Sequence, residues 1–106
     1  MIKVTYDRKH NHVVIKGHAH SGETGHDLVC AAVSGLVYTL AANITHAKAN
    51  GYLRTGPVKL EVGDAEIRCA PRSRYKATMT LIFDAICAGF ELLAKQYPDN
   101  ISYEIK

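Results

Sequence analysis

Cysteine and histidine are the residues of this sequence that are best suited to do chemistry. There are three cysteines and six histidines, and five of the histidines lie in the first quarter of the chain. An odd number of cysteines, with no apolar leader in the opening segment MIKVTYDRK, does not indicate a secreted disulfide framework. We therefore expect reduced thiols, each of which needs its own explanation.

Cys30 is the thiol whose position suggests reactivity. It follows a glycine-containing loop over residues 17–25 and is predicted in the first turns of a helix, beside the apolar stripe that begins at Val29. The unpaired N–H groups and the dipole of a helix N-terminus favour the thiolate, which is the nucleophilic form of cysteine. Packing of a small residue between helix and sheet explains the same position, since Ala31 and Ala32 are also small. Position alone leaves both explanations open.

The other two cysteines are predicted to lie in the core. Cys87 falls between Phe83 and Phe90 on the apolar stripe of a second helix, and Cys69 has the same strand parity as Ile67. A cysteine thiol often packs as a small hydrophobic group.

A nucleophilic cysteine needs a base that takes its proton and an acid that protonates the leaving group. His18 is the best placed histidine, because it follows Gly17 at the end of a predicted strand that can face the helix start across the returning loop. His20 and His26 are competitors for this role. His10 and His12 lie in or next to a turn, and we expect both of them to be solvated.

A metal site is the rival chemical interpretation. His18 and His20 have the spacing of two ligands on one side of an extended segment, and Cys30 is a third candidate ligand. The sequence has no C-x-x-C pair, no H-E-x-x-H helix and no phosphate-binding G-K-[ST]. We therefore predict neither a metal nor another cofactor.

The elements that must position these residues follow from hydrophobic periodicity. Alternating or β-branched runs predict strands, three- and four-residue apolar steps predict helices, and Asn50, Gly51 and Pro98 end the helices. The predicted elements are strands over 2–7 and 12–16, a helix over 27–49, strands over 58–62 and 65–69 around a turn at Gly63 and Asp64, a helix over 74–96 capped by Ser73, and a strand over 101–105. This predicts an α+β fold of order ββαββαβ, with a mostly antiparallel sheet and two long helices packed on one of its faces.

Composition narrows the class of protein. The 106 residues are 47% hydrophobic and 22% charged, which indicates one globular domain over 1–106 rather than a disordered chain. A net charge of +3 is too small to argue for nucleic-acid binding. No uninterrupted apolar run reaches the about 18 residues of a membrane span.

One extended motif joins the residues discussed above. Residues 17–34 read G-H-A-x-x-G-x-x-G-x-D-x-V-C-A-x-x-S, which closely resembles the Prp family of ribosomal-processing cysteine proteases. The resemblance implies that Cys30 is the nucleophile and that His18 is the general base and acid. It also implies that Asp27 and Ser34 help to bind substrate or to order the site. Gly22 and Gly25 allow the loop backbone to approach a ligand closely, so we place them in the substrate-binding set.

The resemblance also implies a biological role. Family members remove the N-terminal extension of the bacterial large-subunit ribosomal protein numbered twenty-seven, so the resemblance implies that this precursor is the partner and that the protein acts in the cytoplasm. The resemblance also implies a homodimer. We expect neither direct nucleic-acid contact nor a membrane. The alternative is a non-catalytic ribosome-associated module that binds peptide or RNA, for which the basic cluster Arg72, Arg74 and Lys76 is the candidate surface.

Overall fold

The computed structural model describes residues 1–17, 26–61 and 64–106, apart from the side chains of His26 and Asp27. Within these residues the chain forms two long helices and seven strands. They are β1 (Ile2–Asp7), β2 (His12–Lys16), α1 (His26–Ala49), β3 (Leu53–Thr55), β4 (Val58–Glu61), β5 (Asp64–Arg68), β6 (Ala70–Pro71), α2 (Lys76–Gln96) and β7 (Ile101–Ile105).

The main sheet has five strands in the order β4-β5-β2-β1-β7. All neighbours are antiparallel except β1 and β7, which are parallel. The predicted hairpin of β1 and β2 is confirmed, with Val4 opposite Ile15 and Tyr6 opposite Val13. The α+β class and the mostly antiparallel sheet are therefore confirmed.

The core lies between one face of this sheet and the two helices. Alternate residues of β1, β2 and β5 are buried, because successive side chains of a strand point to opposite faces of the sheet. Helix α1 contributes a buried stripe of three- and four-residue steps, and α2 contributes another. The buried helical residues are Val29, Val33, Val37, Leu40, Ile44 and Ala47 from α1, and Met79, Phe83, Cys87 and Phe90 from α2.

Three local predictions need correction. The described residues contain a small second sheet of β3 and β6, which was not predicted because its strands are very short and one of them contains Pro71. Asp64 is a strand residue opposite Lys16, not part of a turn. Ser73 begins a short 3₁₀ turn ahead of α2, whose N-cap is Tyr75 without a side-chain capping bond, so Ser73 does not cap the helix.

Both helices are also long and apolar enough, by hydropathy, to cross a bilayer, over Leu28–Ala49 and Ser73–Gln96. The same length and composition suit helices that pack one side on a sheet, as both do here. The absence of a membrane partner therefore stays a prediction.

Candidate active site

The described residues that flank the motif include the last residues of strand β2 and the first turns of helix α1. Strand β2 ends at Lys16, which pairs with Lys3 near the start of β1 and with Asp64 at the start of β5. Because only residues 18–25 separate Gly17 from the start of α1, this sheet end and the helix start are closely linked in the chain.

Cys30 is the fifth residue of α1 and is half-buried, with Val29 beside it fully buried. Its side chain packs at the edge of the core, as its offset from the apolar stripe predicted. All three cysteines are thiols. Cys30 differs from the other two because part of its surface is open to a reactant.

Cys69 and Cys87 lie in the core, as predicted, with 2% and 1% of their surface exposed. Burial raises the pKa of the Cys69 thiol to about 11. Burial, together with the charge of Asp84, raises the pKa of Cys87 to about 12. Both side chains are therefore protonated and inaccessible at neutral pH, which excludes them as nucleophiles in the folded chain.

Gly17 controls how the chain leaves β2 towards His18. Its φ of +80° lies in the left-handed region, which residues with side chains rarely adopt. A Cβ at this position would come within 2.6 Å of the carbonyl oxygen of Met1. The glycine that opens the motif is therefore required by the backbone itself, both for its φ and for its close approach to the first residue.

Ser34 lies one helical turn after Cys30 and is half-buried. It lines a shallow groove of about 30 Å³ between α1 and the β4–β5 hairpin. The other lining residues are Val37, Tyr38, Leu60, Glu61, Asp64 and Ala65. The structure therefore brings one predicted substrate-binding residue against a hairpin that sequence reasoning had not connected with it. Tyr38 and Leu60, which line the groove with Ser34, were not among the predicted site residues, although Tyr38 is about two helical turns after Cys30.

Several predicted site residues lie outside the described part of the chain. These are His18, Gly22 and Gly25, with the competitor His20 and the side chains of His26 and Asp27. The pairing of His18 with Cys30 stays a prediction. In the described residues, no group of three histidine, cysteine or acidic side chains is arranged to hold a metal ion. The metal hypothesis included both His18 and His20, so that finding does not bear on it.

The two remaining histidines of the first quarter lie at the opposite end of β2. His10 is exposed and its Nδ1 lies 2.8 Å from Asp7 Oδ2, in agreement with a solvated side chain. His12 is 22% exposed and its Nε2 lies 2.8 Å from Glu66 Oε1, so its side chain is partly buried and paired as well as in contact with solvent. These contacts lower the pKa of both carboxyl groups. In each case the main cause is the hydrogen bond between the carboxyl group and the histidine.

A comparison with protein families adds to this geometry. The model of the cysteine protease Prp family matches residues 1–102. The chain belongs to this family. Cys30 and Ser34 therefore lie on the first long helix of a protein from a cysteine protease family.

Relatives agree with this family assignment. The chain is 29% identical to the ribosomal processing cysteine protease Prp of Mycoplasma genitalium, over 95% of this chain and 92% of the relative. Its fold is similar to that of Staphylococcus aureus Prp crystallised with a substrate peptide, with a TM-score of 0.73, 21% identity, and 99% and 97% of the two chains covered. A Streptococcus mutans protein matches with a TM-score of 0.68 and 25% identity over 98% and 90% of the chains.

The basic cluster has structural contacts in this member of the Prp family. Lys76 Nζ donates hydrogen bonds to Asn11 Oδ1 at 2.5 Å and to the carbonyl oxygen of Lys9 at 3.1 Å. Arg72 Nε donates to the carbonyl oxygen of Gly51 at 3.2 Å, and the guanidinium of Arg74 lies over the ring of Tyr75. Each of the three cations is therefore engaged within the chain, which weakens the argument for an RNA surface at this cluster.

Proposed function

We propose that the chain is a cysteine endopeptidase that removes the N-terminal extension of the bacterial large-subunit ribosomal protein numbered twenty-seven, a step required for ribosome maturation. Cys30 is the nucleophile and His18 is the general base and acid. Asp27, Ser34, Gly22 and Gly25 bind or order the substrate peptide. The observation that carries the proposal is the accessible thiol at the start of α1, in a chain whose other two thiols are buried.

The proposed reaction has two stages. His18 takes the proton of the Cys30 thiol, and Sγ attacks the scissile carbonyl carbon. Backbone N–H groups at the helix start stabilise the oxyanion, an effect worth about 3–4 kcal/mol per donor in known enzymes. Collapse of this intermediate breaks the C–N bond, and His18 gives its proton to the leaving amine.

The second stage releases the acylated fragment. His18 removes a proton from water, and the hydroxide attacks the thioester carbonyl carbon. The C–S bond then breaks and His18 returns its proton to the Cys30 sulfur. The released carboxylic acid loses its proton to solvent. Two residues suffice for every proton transfer, so the proposal requires a Cys-His dyad and no metal or other cofactor.

We also propose a cytoplasmic homodimer, as the family resemblance implies. Helix α2 presents an uncharged stripe to solvent, formed by Leu81, Ala85, Ala88 and Leu92. Leu81 is 69% exposed and Leu92 is 59% exposed. Exposed apolar residues that share one helix face favour association with a second chain.

Cleavage of a synthetic peptide that spans the extension junction tests the proposed function. The unsubstituted protein is expected to cut it at one bond. Cys30→Ala is expected to reduce kcat/KM on the order of 10⁴-fold, because both stages need the thiol. His18→Ala is expected to cause a loss of similar order, since members of one catalytic unit are not additive.

Cys69→Ala is the matched control, because it removes a thiol that the proposed reaction does not use. Its kcat/KM is expected to stay close to that of the parent, provided that circular dichroism shows a folded chain. Cleavage that survives Cys30→Ala would refute the assignment of the nucleophile. A folded parent protein that never cuts the junction peptide would refute the proposed substrate.

A further inference from the structure

Two large apolar side chains stand exposed on opposite sides of the groove beside Ser34. Tyr38 on α1 is 62% exposed, and Leu60 on β4 is 45% exposed. Neither belongs to the motif that carries the family resemblance. An exposed pair of this kind, on both rims of one groove, is typical of a place where another molecule binds.

The strand register explains why Leu60 is uncovered. Leu60 pairs with Ala65, and Val58 pairs with Ile67. Paired residues point to the same side of a sheet, and both Ala65 and Ile67 are buried under the helices. Leu60 therefore faces the helical side, but it lies on the edge strand β4, beyond the cover that α1 provides.

The groove reaches to within one helical turn of the candidate nucleophile, because Ser34 lines it and follows Cys30 by four residues. Ser34 follows Cys30 by four residues and Tyr38 follows Ser34 by four, so each is a neighbour of the next on the surface of α1. A ligand seated between Tyr38 and Leu60 thus lies about two helical turns from Cys30, a distance of roughly 12 Å at 1.5 Å per residue. An extended peptide covers that distance with about four residues.

We propose that Tyr38 and Leu60 form the specificity subsite of the enzyme and bind one large apolar side chain of the substrate peptide, within about four residues of the scissile bond. This inference rests on the proposed function. The groove is shallow, so the side chain lies across it and is held between the tyrosine ring and the leucine side chain.

The backbone of β4 gives the peptide a second means of attachment. β4 ends the main sheet in the strand order, so the peptide groups along its outer edge face away from β5. An extended peptide can pair with such an edge as an added strand, with alternate side chains entering neighbouring pockets. Main-chain pairing along β4 would align the peptide, and the apolar side chain would set its register.

The test uses junction peptides in which the residues before the cut are changed one at a time to Leu or to Ala. At one position, the parent enzyme is expected to prefer Leu by about 10-fold or more in kcat/KM, as hydrophobic pockets do. In Leu60→Ser and in Tyr38→Ala we expect the preference for Leu over Ala to fall to about threefold or less, because the groove no longer gains binding energy from the larger side chain. Tyr38→Phe keeps the ring and is expected to keep the preference.

Ile105→Ser is the matched control. Ile105 lies on β7, the other edge strand, opposite the buried Tyr6, and is 55% exposed. Like Leu60→Ser, this substitution removes an exposed aliphatic side chain from an edge strand. The Ile105→Ser enzyme is expected to keep its preference for Leu. An unchanged preference in Leu60→Ser and Tyr38→Ala would overturn the proposal, as would an equal loss in Ile105→Ser.

Binding separates failure of the subsite from failure of the proposed function. Fluorescence anisotropy of labelled Leu and Ala peptides is measured on Cys30→Ala protein with and without Leu60→Ser. A Leu preference that disappears with Leu60→Ser supports the subsite even when the parent protein cleaves neither peptide. A Leu preference that Leu60→Ser leaves intact, or the absence of peptide binding, overturns the subsite, whatever the cleavage assay shows.

Discussion

At the residue scale, three cysteines differ in what their surroundings allow. Core burial keeps Cys69 and Cys87 protonated at neutral pH, with pKa values raised to about 11 and about 12. Cys30 lies at the core edge near the start of α1, where its surface is partly open. The surroundings of the three identical side chains therefore separate their roles: Cys30 is the candidate nucleophile, and Cys69 and Cys87 are packing residues.

Gly17→Ala tests the backbone requirement at the motif's first position. Alanine at this position must adopt a positive φ, and its methyl group must avoid the Met1 carbonyl oxygen. We therefore expect a loss of about 1–3 kcal/mol in the free energy of unfolding. We also expect a fall in kcat/KM, because His18 is the next residue. Urea denaturation and peptide cleavage measure the two effects.

Gly35→Ala is the control for Gly17→Ala. Gly35 lies within α1 and has open space around the position of a Cβ. Alanine there is expected to stabilise the chain by about 0.5–1 kcal/mol, since glycine is a poor helix former. Equal effects at the two glycines would contradict the account of Gly17.

At the element scale, a polar contact joins the first strand to the second helix. Tyr6 Oη donates to Asp84 Oδ1 at 2.9 Å, and Arg8 donates to both carboxylate oxygens at 3.0–3.2 Å. The ring of Tyr6 also stacks on Phe83, with 6.1 Å between centroids. Periodicity predicted β1 and α2 separately, but a contact across more than 70 residues leaves no local signal in the sequence.

Asp84→Asn is expected to destabilise the fold in a pH-dependent way. The Arg8 hydrogen bonds hold the pKa of the Asp84 carboxyl below its ordinary value of 3.8. The carboxylate therefore adds stability above that value, and the contribution is lost as pH falls through the lowered pKa. We expect a deficit of about 1 kcal/mol at pH 7, since Asp84 is partly solvated, and a smaller deficit in strong acid.

Urea denaturation of both proteins across this pH range measures the deficit, with Asp99→Asn, at an exposed position, as the control. A deficit that stays constant from neutral to strongly acidic solution would show that the ion pair does not contribute as described.

At the scale of the whole molecule, the sequence predicts the strands and helices that have a local periodic pattern. It does not predict features formed by segments that are far apart in the chain. The five main strands, both helices and the core cysteines follow from periodicity, and the motif indicates Cys30 and Ser34. The small β3–β6 sheet and the groove of Tyr38 and Leu60 do not, because each joins segments that are separate in the chain. The apolar outer face of α2 is also a property of the assembled fold, since it appears only once the inner face is buried.

The oligomeric state tests the role of that outer face. We expect light scattering to give a solution mass of twice the 11.6 kDa of the chain. Replacing both Leu81 and Leu92 by Lys is expected to give a folded monomer, because paired cations at a shared apolar face oppose association. A monomeric parent protein would contradict the homodimer, and a doubly substituted protein that stays dimeric would place the interface elsewhere.

Covalent labelling tests whether Cys30 is the nucleophile that attacks the ribosomal-protein extension, as we propose. The most direct measurement uses a chloromethyl ketone made from the residues before the cut, followed by mass spectrometric mapping of the adduct. We predict one adduct on Cys30, none on Cys69 or Cys87, and its loss when excess junction peptide competes. An adduct on another residue, or labelling of Cys30 that the junction peptide does not slow, would contradict the account.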